Sequence, residues 1–135
     1  MKLTFLNGRY AVCKLNEGAT AAALGNISGR LVFFARTDQE TSLVCEESAV
    51  PADGCLSAET GWSGFRLEGP LDFSLTGILA PIAARLAEKH IPVFAVSTFD
   101  TDYVLLREEK RTRAKTVLRE SGYSICDEQE AEYTK

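Results

Sequence analysis

The stretch EGPLDFSLTGILAPI, residues 68 to 82, holds the side chains whose types and spacing point most directly to chemistry. A helix leaves its first four N–H groups without partners inside the helix, and the aligned peptide dipoles place partial positive charge there. An anion is a natural guest at such an end. Asp72, Ser74 and Thr76 precede the apolar run and could also close it as caps with no ligand bound. A second acidic group, Asp100 and Asp102, lies in TFDTD, and with Glu68 and Asp72 it raises the possibility of acid/base catalysis by paired carboxylates. Neither a nucleophile nor a metal set accompanies these acids. His90 is the single histidine, and Cys13, Cys45, Cys55 and Cys126 show no C-x-x-C spacing. Taken alone, the stretch favours a plain helix cap over an anion site, and the residues predict no catalysis, cofactor or metal.

Charge narrows the partners. A net charge of -4 and a pI near 5.1 argue against nucleic acid and anionic lipid, which attract a surplus of Lys and Arg. The basic cluster Lys110, Arg111, Arg113 and Lys115 alternates with Ala114, Val117 and Leu118 at helical spacing, so it reads as a solvated helix face. MKLTFLNGRY lacks the apolar core of a signal peptide, and no apolar run is long enough to cross a membrane. A cytoplasmic chain with four reduced thiols is expected, Cys13 and Cys45 serving as small core residues in AVCKL and SLVCEE.

The elements that must position the junction come in two copies. VFFARTDQETSLVCEE lies beneath VFAVSTFDTDYVLLRE without gaps at an offset of 61 (position 93 against 32). YAVCKL lies beneath GFRLEG at an offset of 54 (position 64 against 10), so the first copy is about two helical turns shorter between its first two strands. In the second copy Phe65 and Leu67 alternate with polar neighbours as a half-buried strand does. Leu75, Ile78, Leu79, Ile82, Ala83 and Leu86 form a helical stripe over 75 to 89, with Pro81 either in its first turn or bending it. Strands at 93 to 97 and 103 to 106, a helix over 109 to 121 stopped by Gly122, and a closing strand at 123 to 126 complete the order βαββαβ. This predicts an α+β fold of two ferredoxin-like modules, the first abbreviated, with antiparallel sheets carrying helices on one face. The expected boundaries are 1–60 for the abbreviated module, 61–127 for the complete one and 128–135 for an acidic tail, with DEQEAEYTK frayed.

EGPLDFSLTGILAPIAARLAEKHIPVFAVSTFDTDYVLL resembles the helix-and-hairpin core of tandem ACT domains, as in small bacterial ACT proteins, arginine sensors and the regulatory tails of aspartate kinases. The resemblance implies modules that bind an amino-acid effector at their interfaces and do no chemistry themselves. It places Gly77, with Thr76 and Ile78, at the effector's carboxylate, and Thr98, Phe99 and Asp102 on the facing hairpin turn. Asp72 and Ser74 complete the candidate set, Asp72 being as well placed to cap as to meet an ammonium. The arginine sensors carry an acid after the glycine, whereas here the chain reads ILAPIAA, so a small or apolar amino acid is the expected ligand. Exposed edges predict a homodimer. The rival expectation is a protein–protein interaction module whose ligand site has decayed.

Overall fold

The computed structural model describes residues 1–19, 25, 27–69 and 77–128. Its elements are β1 (Lys2–Phe5), β2 (Tyr10–Leu15), β3 (Phe33–Arg36), β4 (Thr41–Glu46), β5 (Cys55–Leu67), α1 (Leu79–Glu88), β6 (Val93–Ser97), β7 (Asp102–Arg107), α2 (Arg111–Glu120) and β8 (Ser124–Asp127). Short 3-10 turns, Glu47–Ala49 and Glu108–Lys110, follow β4 and β7. The chain forms two compact units, one of Gly8–Trp62 and one of Met1–Asn7 with everything from Ser63 on.

In the unit Gly8–Trp62 the strand order is β3, β4, β2 and the first part of β5. Its pairs β3/β4, β2/β4 and β2/β5 are all antiparallel. Ala11, Cys13, Leu15, Leu43 and Cys45 form its core, with Cys55 packed beside them. All four cysteines are free thiols. Burial pushes the Cys13 thiol up to about 12 and raises Cys45 as well, which keeps both as uncharged core groups.

The second unit orders its strands β6, β7, β5, β1 and β8. Leu3, Phe5, Phe65, Leu67, Val104 and Leu106 of the strands pack on Ile82 and Leu86 of α1 and on Ala114, Val117 and Leu118 of α2. Of the stripe read over 75 to 89, Ile82 and Leu86 are buried with Ile78 and Leu79 packed beside them, Ala83 is half-buried and Leu75 lies outside the described residues; the α2 stripe of Ala114, Val117 and Leu118 is buried. The N-terminal strand β1 is the unexpected component. It pairs antiparallel with β5, Leu3 opposite Leu67, and parallel with β8, Lys2 opposite Ser124. The closing strand of a ferredoxin-like module ordinarily lies beside the module's own first strand and antiparallel to it. Here β1 stands between them, so one parallel pair enters a sheet expected to be antiparallel, and residues 1 to 7 fold with the unit from Ser63 on.

Three further expectations change. The basic cluster on α2 is only partly a solvated face, because the side chains of Arg111 and Lys115 are 18% and 16% exposed. Both cations lie 5.2 Å from the ring centre of Phe5, and Arg111 donates to the Leu6 carbonyl and the Ser63 hydroxyl. Asp127 ends β8 in ion pairs with Lys115 at 2.6 Å and Arg111 at 3.2 Å, and Glu128 is buried, so neither belongs to a frayed tail. Helix α1 begins at Leu79 rather than residue 75, which puts Pro81 in the first turn, where a missing N–H costs nothing.

Both helices end alike. Ile91 N–H and His90 N–H bond to the carbonyls of Leu86 and Ala87, and Tyr123 and Gly122 repeat this with Leu118 and Arg119. These are Schellman closures, which need a left-handed residue just past the helix. Gly122 suits that position at φ +98°, whereas His90 occupies it with a side chain at φ +59°. A non-glycine residue there costs about 1 kcal/mol. We expect His90→Gly to stabilise the protein by roughly 1 kcal/mol and Gly122→Ala to destabilise it by a similar amount, read from urea midpoints at unchanged slope.

The Lys115 hydrogen bond, followed by the charges of Lys115 and Arg111, holds the Asp127 carboxyl below its usual value against an opposing desolvation. A carboxylate lowered in the folded state adds stability above its unfolded value, near pH 4, and loses it as pH falls through the lower folded one. At 57% side-chain exposure the effect is small. The stability deficit of Asp127→Asn should be present at pH 7 and shrink toward pH 2, measured by denaturant titration at both values.

Candidate functional site

The candidate residues sit on two arms of the unit from Ser63 on. On the first arm, β5 ends at Leu67, and Gly77 and Ile78 lead into α1. Gly77 has φ +71°, a left-handed conformation that side-chain-bearing residues rarely adopt, and a Cβ built there meets no described atom within 4 Å. Ile78 is the N-cap residue, with helical backbone angles and no side-chain cap bond, and its side chain packs against the core. Its apolar side chain cannot close the N–H groups of the first turn, and Pro81 brings none. Asp72, Ser74 and Thr76 lie outside the described residues.

The second arm is the hairpin between β6 and β7. Its turn is closed by backbone, Thr98 N–H to the Thr101 carbonyl at 2.8 Å. The Thr98 hydroxyl donates to that carbonyl at 3.0 Å and accepts from Thr101 N–H at 3.4 Å. That hydroxyl is committed to shaping the turn. Phe99 stands 79% exposed at the tip. Asp102, half-buried, begins β7 and accepts a 2.6 Å hydrogen bond from the Ser97 hydroxyl directly across the strand pair.

What joins the arms is a residue outside the sequence-derived set. Thr101 donates its hydroxyl to the carbonyl of Leu67 at 2.6 Å, which pins the hairpin turn to the end of the strand that feeds the junction. Ser97 likewise escaped notice, although it orients Asp102. The alignment of the two copies carried part of the signal. Thr37, 61 positions before Thr98, closes the β3–β4 turn with the same bonds: its N–H to the Glu40 carbonyl, its hydroxyl to that carbonyl, and Glu40 N–H to its hydroxyl. Glutamate stands in the first copy where Thr101 stands in the second, so the link to the preceding strand is particular to the later unit.

Each arm offers one half of what a small zwitterion needs: backbone donors at a helix start approached past a glycine, and a carboxylate at the first residue of β7. Among the described residues, no three or more His, Cys, Asp or Glu side chains are grouped to hold a metal ion. Among them, too, no helix is long and apolar enough to cross a membrane.

Residues 57–120 match the ACT-domain family model. An ACT domain therefore lies within the chain, over residues 57–120. The chain is similar to a structurally known protein from Agobacterium tumefaciens, with 34% identity and a TM-score of 0.82 over 95% of this chain and 93% of that one. Over 97 residues, 66% of this chain, it is 35% identical to the cytosolic arginine sensor for mTORC1 subunit 1 of Bos taurus. This chain covers 30% of that protein's length. The regulatory subunit of the Thermus thermophilus aspartate kinase shares the fold at a TM-score of 0.64 and 10% identity, over 90% of this chain and 98% of that subunit.

Proposed function

We propose that this chain is a cytoplasmic regulatory protein, a homodimer of paired ACT modules, that binds a small or apolar amino acid at the junction leading into α1. The abbreviated module comprises the unit Gly8–Trp62 and the complete one the unit from Ser63 on, and the twin threonine turns support reading them as tandem copies. The observation that carries the ligand reading is the pairing of left-handed Gly77 at an N-cap without a side-chain bond with a hairpin turn anchored to Leu67 by Thr101. The effector's carboxylate would lie against the helix start and its ammonium against Asp102, in agreement with the chemistry of each arm. Arginine fits poorly, since Ile78 to Ala84 offers no acid to a guanidinium.

A second reading is an interaction module without a ligand, favoured by Phe99, a large apolar side chain exposed at a turn tip. Thermal-shift screening against the twenty amino acids at millimolar concentration separates the two. Ligand at 100 times its dissociation constant adds about 2.7 kcal/mol of stability, so one or a few small or apolar amino acids should raise the melting temperature by several degrees. Twenty flat responses would leave the interaction module as the function. Light scattering at micromolar concentration tests the dimer.

A further inference from the structure

The two hairpin turns provide a comparison within one molecule. Their closing threonines, Thr37 and Thr98, make matching bonds, so those bonds belong to the shape of the turn. Other polar positions differ. Ser97, Thr101 and Asp102 of the later turn stand where Arg36, Glu40 and Thr41 stand 61 positions earlier, so the three occur together in the turn of the unit that holds Gly77 and not in its counterpart. Within this set Thr101 is distinguished by what it grips. Leu67 is fully buried, lies opposite Leu3 of β1, and is followed by Glu68, whose N–H bonds to the Lys2 carbonyl at 3.0 Å. The 2.6 Å bond from the Thr101 hydroxyl thus ties a turn whose residues Thr98, Phe99 and Asp100 are exposed to a strand end held by the core. Asp102 follows Thr101 directly, and its carboxylate is held in turn by the Ser97 hydroxyl opposite it. Backbone and side chain of Asp102 are both fixed before a ligand arrives.

We propose that Thr101 is the positioning residue that sets the specificity of the effector site: by holding Asp102 at a set distance from the start of α1, it selects α-amino acids over amino acids whose two charges lie one carbon further apart. This assignment rests on the amino-acid-binding reading above. A zwitterion that meets the helix N–H groups with its carboxylate and Asp102 with its ammonium is measured by the separation of its charges. Leu67 ends the strand that leads to the helix start, so the Thr101 bond ties the ammonium arm to the carboxylate arm directly. A free turn could shift outward to admit the longer ligand, whereas the anchored turn does so only by breaking that bond. Thr101 acts through Asp102, and the glutamate in its place in the first copy has no hydroxyl to make the link.

Calorimetric titration of the full chain with two pairs of probes tests this: L-alanine against β-alanine, and L-leucine against L-β-homoleucine. In at least one pair the parent should bind the α member about tenfold more tightly or better. Thr101→Val removes the hydroxyl and keeps the shape. It should weaken the α member about tenfold, leave the β member within about threefold, and so bring the two near equality. Thr101→Ser keeps the hydroxyl and should restore the parent's preference. Thr37→Val, which strips the matching bonds from the turn of the other unit, should lower the melting temperature and leave both affinities unchanged, which separates lost positioning from lost stability. Three results overturn the assignment alone: a Thr101→Val protein that melts lower but keeps the parent's preference, a parent that binds both members of each pair equally, or a Thr37→Val protein that loses the preference as well. A parent that binds neither L-alanine nor L-leucine overturns it together with the amino-acid-binding reading.

Discussion

Asp102→Ala should weaken amino-acid binding by about one to two powers of ten, because a charge-assisted hydrogen bond contributes roughly 1.5 to 3 kcal/mol. Folding should hardly change. The residue begins β7 rather than lying in the core, and the side-chain bond it makes to Ser97 is replaceable by water at an exposed hydroxyl. The turn keeps its shape through Thr98 and its anchor through Thr101, neither of which depends on Asp102. This separates the Asp102 test from the obvious alternative at Gly77. Any side chain at Gly77 must take a φ of +71°, so Gly77→Val would lose backbone stability as well as the approach path, and lost binding would be ambiguous. Titration calorimetry of Asp102→Ala, with melting curves alongside, gives the cleaner measurement. Affinity equal to that of the parent would remove Asp102 from the site and leave the helix start without its opposing charge.

Glu128→Ala should lower stability by about 2 to 3 kcal/mol, although the sequence places Glu128 at the start of an acidic tail. Its side chain is 4% exposed and meets the Arg66 guanidinium at 3.4 Å and the Asn7 N–H at 3.3 Å. Its backbone extends the grip, Glu128 N–H to the Phe5 carbonyl at 2.8 Å and its own carbonyl to the Asn7 amide at 3.1 Å. Removing the carboxylate takes one acceptor from the partly buried Arg66 guanidinium and one from the Asn7 N–H. Arg66 retains 25% exposure, so water recovers part of the loss and the figure falls below that for a fully buried pair. Glu128→Gln, which keeps an acceptor for Asn7, should lose less. A urea midpoint for Glu128→Ala within about 0.5 kcal/mol of the parent, the range of ordinary surface substitutions, would show that the end of β8 is not clamped.

The sequence by itself determined what depends on neighbours a few residues apart. The helical stripe from Ile82 to Leu86, the alternation at Phe65 and Leu67, and the glycine closing α2 each follow from a local period or a local backbone demand. Duplication made the hairpins legible, since β4 and its 3-10 turn recur as β7 and its 3-10 turn 61 residues later. Tertiary structure decided the rest. The strand at Cys55 to Thr60 escaped detection because its residues are exposed on both faces from Leu56 on, which erases the alternation that marks a strand. The insertion of β1 beside β8 joins residues more than 120 positions apart, and KLTF carries no sign of which strand it will join. The same pairing turned Asp127 and Glu128 from tail into structure, because a carboxylate is a solvating group or a clamp according to which cations and N–H groups the fold brings to it. At the candidate site the division runs between residues: Gly77 and Asp102 could be named from a motif, but the hydroxyl of Thr101 matters only because the folded hairpin reaches the carbonyl of Leu67, 34 positions earlier in the chain.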